Sequence, residues 1–192
     1  THDAQKILPT ILSRCRHFIF EGINRTLIDS DIRDWLNVFV QTAASSTGAI
    51  ICRYSLLAPM VSKLADMLAA IETELKNNSP LSLYPDAEEK QKDRWEKELQ
   101  AAIASEYRRQ RSAMIGAIEL WLRDVWLTLV TGAFPETAHF PDLQSSTEKV
   151  AGRITEKQAR ENLKNVGQII KSLETNIQEA LILEVFLLKL SL

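Results

Sequence analysis

The sequence predicts an all-α protein, and three observations support this prediction. Apolar residues recur at steps of three and four along most of the chain, which is the spacing of one helix face. Helix start signals precede several of these stretches. Glycine and proline number only six each, which is few for a protein built from hairpins and loops. The chain has 192 residues, enough to bury a core in either one large domain or two small ones.

Charge and cysteine content narrow the class of function. The formal net charge is −2, from 23 basic and 25 acidic residues, so any contact with nucleic acid would be local. Cys15 and Cys52 lie in unrelated contexts and the three histidines are scattered, so we predict neither a zinc site nor a disulfide. Neither a secretory signal nor an apolar run of about 18 residues occurs, so we expect a cytoplasmic protein without a membrane partner.

Two helices are predicted in the first part of the chain. Ser30 is placed to cap the first, which covers residues 31–41 and has an apolar face. The small residues at 42–49 then interrupt the pattern. The second helix carries a longer apolar stripe, formed by Leu56, Met60, Leu64, Met67, Leu68, Ile71 and Leu75.

Residues 77–86 are the clearest boundary in the sequence, because prolines, asparagines and serines separate two helical patterns there. Asp86 is expected to cap the next helix, whose apolar stripe continues to residue 129. A helix of that length would measure roughly 60 Å at about 1.5 Å per residue. Since a compact domain rarely needs so long a helix, we expect a break near Arg109 or Gly116.

The last part of the chain predicts two further helices. Thr155 and Gln158 form a capping box, and an apolar stripe at steps of three and four follows it. The final segment, residues 177–190, is apolar nearly all round, which indicates a helix buried on several sides or packed against a partner. In the helix that follows the capping box, the apolar stripe consists of Ala159, Leu163, Val166, Ile170 and Leu173.

The opening segment, THDAQKILPTILSRCRHFIF, resembles a stretch of the bacterial DNA polymerase III clamp-loader subunits of the delta-prime and gamma/tau types. That stretch ends in a Ser-Arg-Cys motif followed by a strand with alternating large apolar residues. The positions that match it are Asp3, Lys6, Leu8, Pro9, Thr10, Ile11, Ser13, Arg14 and Cys15, with Phe18 and Phe20 in the strand.

Two further segments support the resemblance. Residues 117–132 are similar to a middle helix of the family's collar domain, and residues 173–190 to its last collar helix; residues 42–86 do not align. The apolar run ends the chain, which favours the delta-prime type over gamma/tau. Because the sequence opens on Thr1 without an initiator methionine, we expect a C-terminal fragment. The resemblance implies an end of the ATPase core at 1–27, a helical lid segment at 28–76, a linker at 77–86 and a collar helical bundle at 87–192.

The resemblance also implies a role in ATP hydrolysis by a neighbouring subunit. Arg14 would be an arginine finger that reaches the nucleotide of that neighbour, and Ser13 and Cys15 would support its loop. The chain contains neither the phosphate-binding loop motif nor the acidic strand motif of such ATPases. We therefore expect no bound cofactor and no enzymatic activity in this chain itself.

The partners implied are the gamma/tau and delta subunits and, indirectly, the sliding clamp and primer–template DNA. Two alternatives remain open: a stand-alone helical scaffold and a DNA-binding module. The basic cluster at 106–111 predicts a solvated helix face, with a phosphate contact aided by Tyr107 as the alternative. The resemblance places the subunit interface at Trp121, Leu122, Leu173, Asn176, Ile177, Leu181, Glu184 and Leu188.

Overall fold

The computed structural model describes residues 28–45, 50–84, 86, 88–175 and 177–192, and each secondary-structure element in these ranges is helical. The all-α prediction is confirmed for these residues. The extended piece predicted within residues 1–27 lies outside them. The helices are α1 (Ser30–Ser45), α2 (Ile50–Asn77), α3 (Pro80–Leu83), α4 (Glu89–Thr131), α5 (Gln144–Ala151), α6 (Glu156–Ser172) and α7 (Glu179–Lys189), with a 3-10 turn at Pro141–Leu143.

Helix α4 is the central element, and α1, α2, α3, α5 and α6 all pack against it. The predicted break near Arg109 or Gly116 is wrong, because α4 is continuous over 43 residues. Glycine costs about 1 kcal/mol relative to alanine inside a helix. The buried side chains of Ile115 and Ile118, on either side of Gly116, anchor the helix in the core and outweigh that cost. The helix ends at Thr131 and is capped by Gly132, whose φ of 72° is the left-handed conformation that favours glycine.

Helix α1 begins one residue earlier than predicted. The Asp29 carboxylate accepts a hydrogen bond from the Asp31 N–H at 2.9 Å, and the Asp29 carbonyl accepts from the Arg33 N–H at 2.9 Å. Asp29 therefore caps the helix, and Ser30 is its first residue. The apolar stripe predicted for α2 faces the core through Leu56, Met60, Leu64, Met67 and Ile71.

The predicted linker at 77–86 contains the short helix α3, which the Ser79 hydroxyl caps by accepting from the Leu81 N–H. Asp86 does not cap α4, which begins at Glu89 after a residue without a side-chain cap. A single hydrophobic core includes side chains from both sides of this segment, among them Leu36 of α1 and Trp121 of α4. The helices before and after residues 77–86 therefore pack together.

Helix α6 begins with the predicted capping box, in which Thr155 and Gln158 each accept from the other's backbone N–H. Its stripe differs from the prediction at one position: Ile169 is buried, whereas Ile170 is 37% exposed. A step of three from Val166 leads to the core face, and a step of four leads away from it. Helix α7 follows and packs against both α2 and α6.

Candidate subunit interface

The outer side of α7 carries a row of exposed apolar side chains. Leu181 and Val185 are 50% and 43% exposed and lie four residues apart on one line of the helix surface. Ile177, which is 53% exposed, lies two residues before the helix begins. We call these three residues the outer row. The inner side of α7 is also apolar and fills the core with Ile182, Leu183, Phe186 and Leu187.

A groove of about 250 Å³ runs between α6 and the outer row. Its apolar lining includes Ile169 from α6 and Phe186 from α7. Gln168, Ser172 and Lys189 supply polar groups to the same lining. A largely apolar lining with a few polar groups is usual at protein–protein contact sites. We call this feature the α6–α7 groove.

Two buried amides of α6 hold the C-terminal end of α7. The Asn162 side chain donates to the Ser191 carbonyl at 2.7 Å and accepts from the Ser191 N–H at 2.9 Å. The Asn165 side chain donates a longer bond, 3.5 Å, to the Lys189 carbonyl. These bonds satisfy backbone groups at the last residue of α7 and just after it, which have no partner within the helix.

The N-terminal end of α7 is tied to α4 by a cluster of three residues, Tyr107, Arg111 and Glu179. Arg111 donates to the Glu179 carboxylate at 2.9 Å, and the Tyr107 hydroxyl donates to its other oxygen at 2.6 Å. Burial and the hydrogen bond to Glu179 raise the pKa of the Tyr107 phenol above its ordinary value. We call this set the Arg111 cluster.

Helix α2 holds the third side of α7. The Arg53 guanidinium donates to the Leu188 carbonyl at 2.8 Å, and the Tyr54 hydroxyl donates to the Glu184 carboxylate at 3.0 Å. The hydrogen bond to Glu184 raises the pKa of the Tyr54 phenol. Glu184 and Leu188, both predicted interface residues, thus contact another helix of the same chain.

The structure divides the remaining predicted site residues into three groups. Ile177 and Leu181 lie together in the outer row, and Leu173 is partly buried at the end of α6. Trp121 and Leu122 are buried in the core, where the Trp121 indole donates to the Thr147 hydroxyl at 3.2 Å, so neither lies on a surface that a second subunit could reach. Ser13, Arg14, Cys15 and Asn176 lie outside the described residues.

Sequence reasoning missed several residues around the groove. Val185 follows Leu181 by four positions, a spacing that predicts a shared face once the inner face is known. Asn162 and Asn165 interrupt the apolar side of α6, and buried amides of this kind usually hold backbone groups. The pairing of Arg111 with Glu179 has no local signal, because 68 residues separate them.

The basic cluster at 106–111 is occupied by contacts within the chain. Arg109 donates to both oxygens of Glu106, and hydrogen bonds from Arg109 and Gln110 lower the pKa of Glu106 to about 2. The Arg108 side chain donates to the Ala104 carbonyl. Arg111 is only 12% exposed and belongs to the Arg111 cluster. Arg108 and Arg109 are exposed on the helix surface, and the phosphate contact stays a prediction.

Asp124 is the most deeply buried charged residue of the described core, and its contacts are structural. Its carboxylate accepts from the backbone N–H groups of His139 and Phe140, at 2.9 and 3.1 Å, and lies 3.3 Å from the His139 ring nitrogen Nδ1. These bonds fasten the loop after α4 to the helix. Among the described residues, no group of three or more His, Cys, Asp or Glu is arranged to hold a metal ion.

Residues 53–77 of α2 are long and apolar enough to cross a membrane by length and composition. No other helix in the described part of the chain meets both criteria. Core helices of soluble proteins also meet them, and one face of this helix lies in the shared core.

Comparison with known proteins gives no match. No protein-family model, no curated protein and no solved structure is significantly similar to this chain.

Proposed function

We propose that this chain is the C-terminal part of a delta-prime-type clamp-loader subunit, and that it assembles through the outer row and the α6–α7 groove with the gamma/tau and delta subunits. One observation carries the proposal. Apolar side chains are exposed to solvent at Ile177, just before the last helix, and at Leu181 on that helix, two positions where the resemblance places the subunit interface. The all-helical fold supports the assignment of a collar bundle.

The energetics of the outer row support a contact of this kind. Complete burial of a Leu, Ile or Val side chain contributes about 1.5–3 kcal/mol. The outer row residues are about half exposed, so a partner that covered them would gain roughly half of that from each. A groove beside the row gives the partner's side chains a place to insert.

The remainder of the proposal follows the resemblance. Arg14 contributes the arginine finger to a neighbouring subunit's ATP, and Ser13 and Cys15 support its loop. This chain itself holds no nucleotide and acts in clamp loading by assembly with its partners in the cytoplasm. The sliding clamp and primer–template DNA are reached through the complete loader.

Mixing the chain with gamma/tau and delta subunits tests the proposal. We expect a complex by size-exclusion chromatography, and we expect Leu181→Asp to weaken it because a carboxylate would be buried in an apolar contact. Val38→Asp is the matched control, since Val38 is similarly exposed on α1 and does not line the groove.

Two results would contradict the proposal. One is the absence of any complex with either subunit. The other is an equal loss of binding in the Leu181→Asp and Val38→Asp variants, which would show that the outer row is not the binding surface. Salt-dependent binding to primed DNA without affinity for these subunits would favour the DNA-binding module instead.

A further inference from the structure

The connection between α6 and α7 shapes one end of the α6–α7 groove. Ser172 at the end of α6 and Ile177 just before α7 both line the groove. The positions of these two side chains therefore depend on how the connection is held. In the described residues, the side-chain hydrogen bonds that reach it from another helix come from Arg111 and Tyr107 on α4.

Arg111 joins both ends of this connection with one guanidinium group. Its Nη2 donates to the carbonyl of Leu173, the C-terminal cap of α6, at 3.0 Å. Its Nη1 donates to the carboxylate of Glu179, the first residue of α7, at 2.9 Å. Because the guanidinium is planar and rigid, the two bonds fix the two acceptors relative to each other.

Tyr107 completes the arrangement. Its hydroxyl donates to the second Glu179 oxygen at 2.6 Å, and its ring centroid lies 5.6 Å from the central carbon of the Arg111 guanidinium. Arg111 is 12% exposed and Glu179 31%, so water competes weakly for these bonds. Both oxygens of Glu179 and both terminal nitrogens of Arg111 are engaged.

We propose that Arg111 is a positioning residue for the subunit interface, acting with Tyr107 and Glu179 to set the distance between the outer row and α6. Arg111 does not line the groove, so it acts through the connection and not by touching the partner. The link to partner binding rests on the proposed function. The effect on the groove is a property of this chain alone and is measured without a partner.

Arg109 provides a matched control on the same helix. Its guanidinium forms an ion pair with Glu106 at 2.6 Å, three residues away on α4. Both arginines thus form a short, charge-assisted contact, but only Arg111 contacts residues around the α6–α7 connection. Arg109→Gln removes an ion pair without releasing that connection.

The first experiment measures amide hydrogen exchange in the isolated chain. We expect Arg111→Gln to speed exchange about tenfold or more over residues 173–183, because local opening becomes easier when charge-assisted bonds are lost. Residues 114–125 of α4 should keep their protection, and Arg109→Gln should leave both segments unchanged. Unchanged exchange over 173–183 in Arg111→Gln would overturn the proposal.

Global unfolding of Arg111→Gln would raise exchange in both segments, and milder variants then decide the matter. Glu179→Gln removes the charge and leaves one acceptor oxygen where Arg111 and Tyr107 now use two. Tyr107→Phe keeps the ring and removes the hydroxyl. We expect each of these variants to speed exchange over residues 173–183 and to leave residues 114–125 protected. An equal increase in exchange over the two segments would count against a local positioning role.

The second experiment measures partner affinity at a temperature where every variant is folded. We expect Arg111→Gln to weaken binding about tenfold, Arg111→Lys to retain part of the affinity through Glu179, and Arg109→Gln to bind like the wild type. If Arg111 only stabilises the fold, Arg111→Gln should lower the melting temperature and leave the affinity for the partner subunits unchanged. If the wild-type chain binds neither subunit, the proposed function fails, and the exchange experiment still decides the positioning of the groove.

Discussion

Helices α6 and α7 line the same groove but differ in how their apolar residues are used. Helix α6 buries one side through Ala159, Val166 and Ile169 and presents charged residues on the other. Helix α7 buries its inner side and presents Leu181 and Val185 to solvent. A helix with one apolar face can bury that face against the core of its own chain. A helix that is apolar on both faces still exposes apolar surface, which a second contact can bury.

The two helices also differ in how they are anchored. Helix α6 starts with a capping box made by its own residues Thr155 and Gln158. Helix α7 has no side-chain cap at its start and is held by contacts from other helices. Arg111 holds its beginning, and Asn162 holds the residues after its end. The position of α7, and with it the shape of the groove, is therefore a tertiary property.

The largest effect should come from the inner side of α7. Phe186 is 3% exposed, and Phe186→Ala should lower the free energy of unfolding by about 3–5 kcal/mol because it leaves a cavity in the core. Leu181→Ala, on the outer side, should change it by less than about 1 kcal/mol. Denaturant unfolding of both variants measures this difference.

The outer-side variant should have the larger direct effect on the affinity for partner subunits. Leu181→Ala should weaken association while leaving the fold intact. Comparable losses of stability in the two variants would show that both sides of α7 are buried in the isolated chain, and the comparison between inner and outer sides would fail.

The sequence predicted local features better than long-range ones. The capping box of α6 and the stripe of α2 depend on residues within a few positions of each other, and both are present in the structure. The expected break near Arg109 or Gly116 is absent because the core packing that keeps α4 continuous comes from helices distant in the sequence.

The prediction of the interface residues failed in part for a different reason. The resemblance implies an interface role for both Leu181 and Leu188, and periodicity cannot separate the inner from the outer side of a helix that is apolar all round. The structure places Leu181 on the outside and leaves Leu188 partly buried, with its carbonyl bonded to Arg53 of α2. The resemblance also placed Trp121 and Leu122 at the interface, whereas both lie in the core. Only the packing of neighbouring helices resolves such cases.

An intermediate effect is expected at the anchor after the end of α7. Asn162→Ala should lower the free energy of unfolding by about 1–3 kcal/mol, because it leaves the N–H and carbonyl of Ser191 without their partner. Asn165→Ala, one turn further along α6, removes a single longer bond and should cost less. Equal losses in thermal or denaturant unfolding would show that the two bonds of Asn162 do not act as the anchor.

The smallest effect should appear at alkaline pH, at the anchor before α7. The pKa of the Tyr107 phenol is raised, so the folded chain keeps this proton at pH values where the unfolded chain has lost it. The resulting stability is complete below about pH 10, the ordinary pKa of tyrosine, and is lost as the pH rises above it. Tyr107→Phe should flatten this decline in the free energy of unfolding, and Tyr54→Phe, which removes a more exposed phenol bonded to Glu184, should flatten it less. If the free energy of unfolding falls as steeply above about pH 10 in Tyr107→Phe as in the wild type, the phenol does not keep its proton in the folded chain. The hydrogen bond from Tyr107 to Glu179 is then not formed in solution.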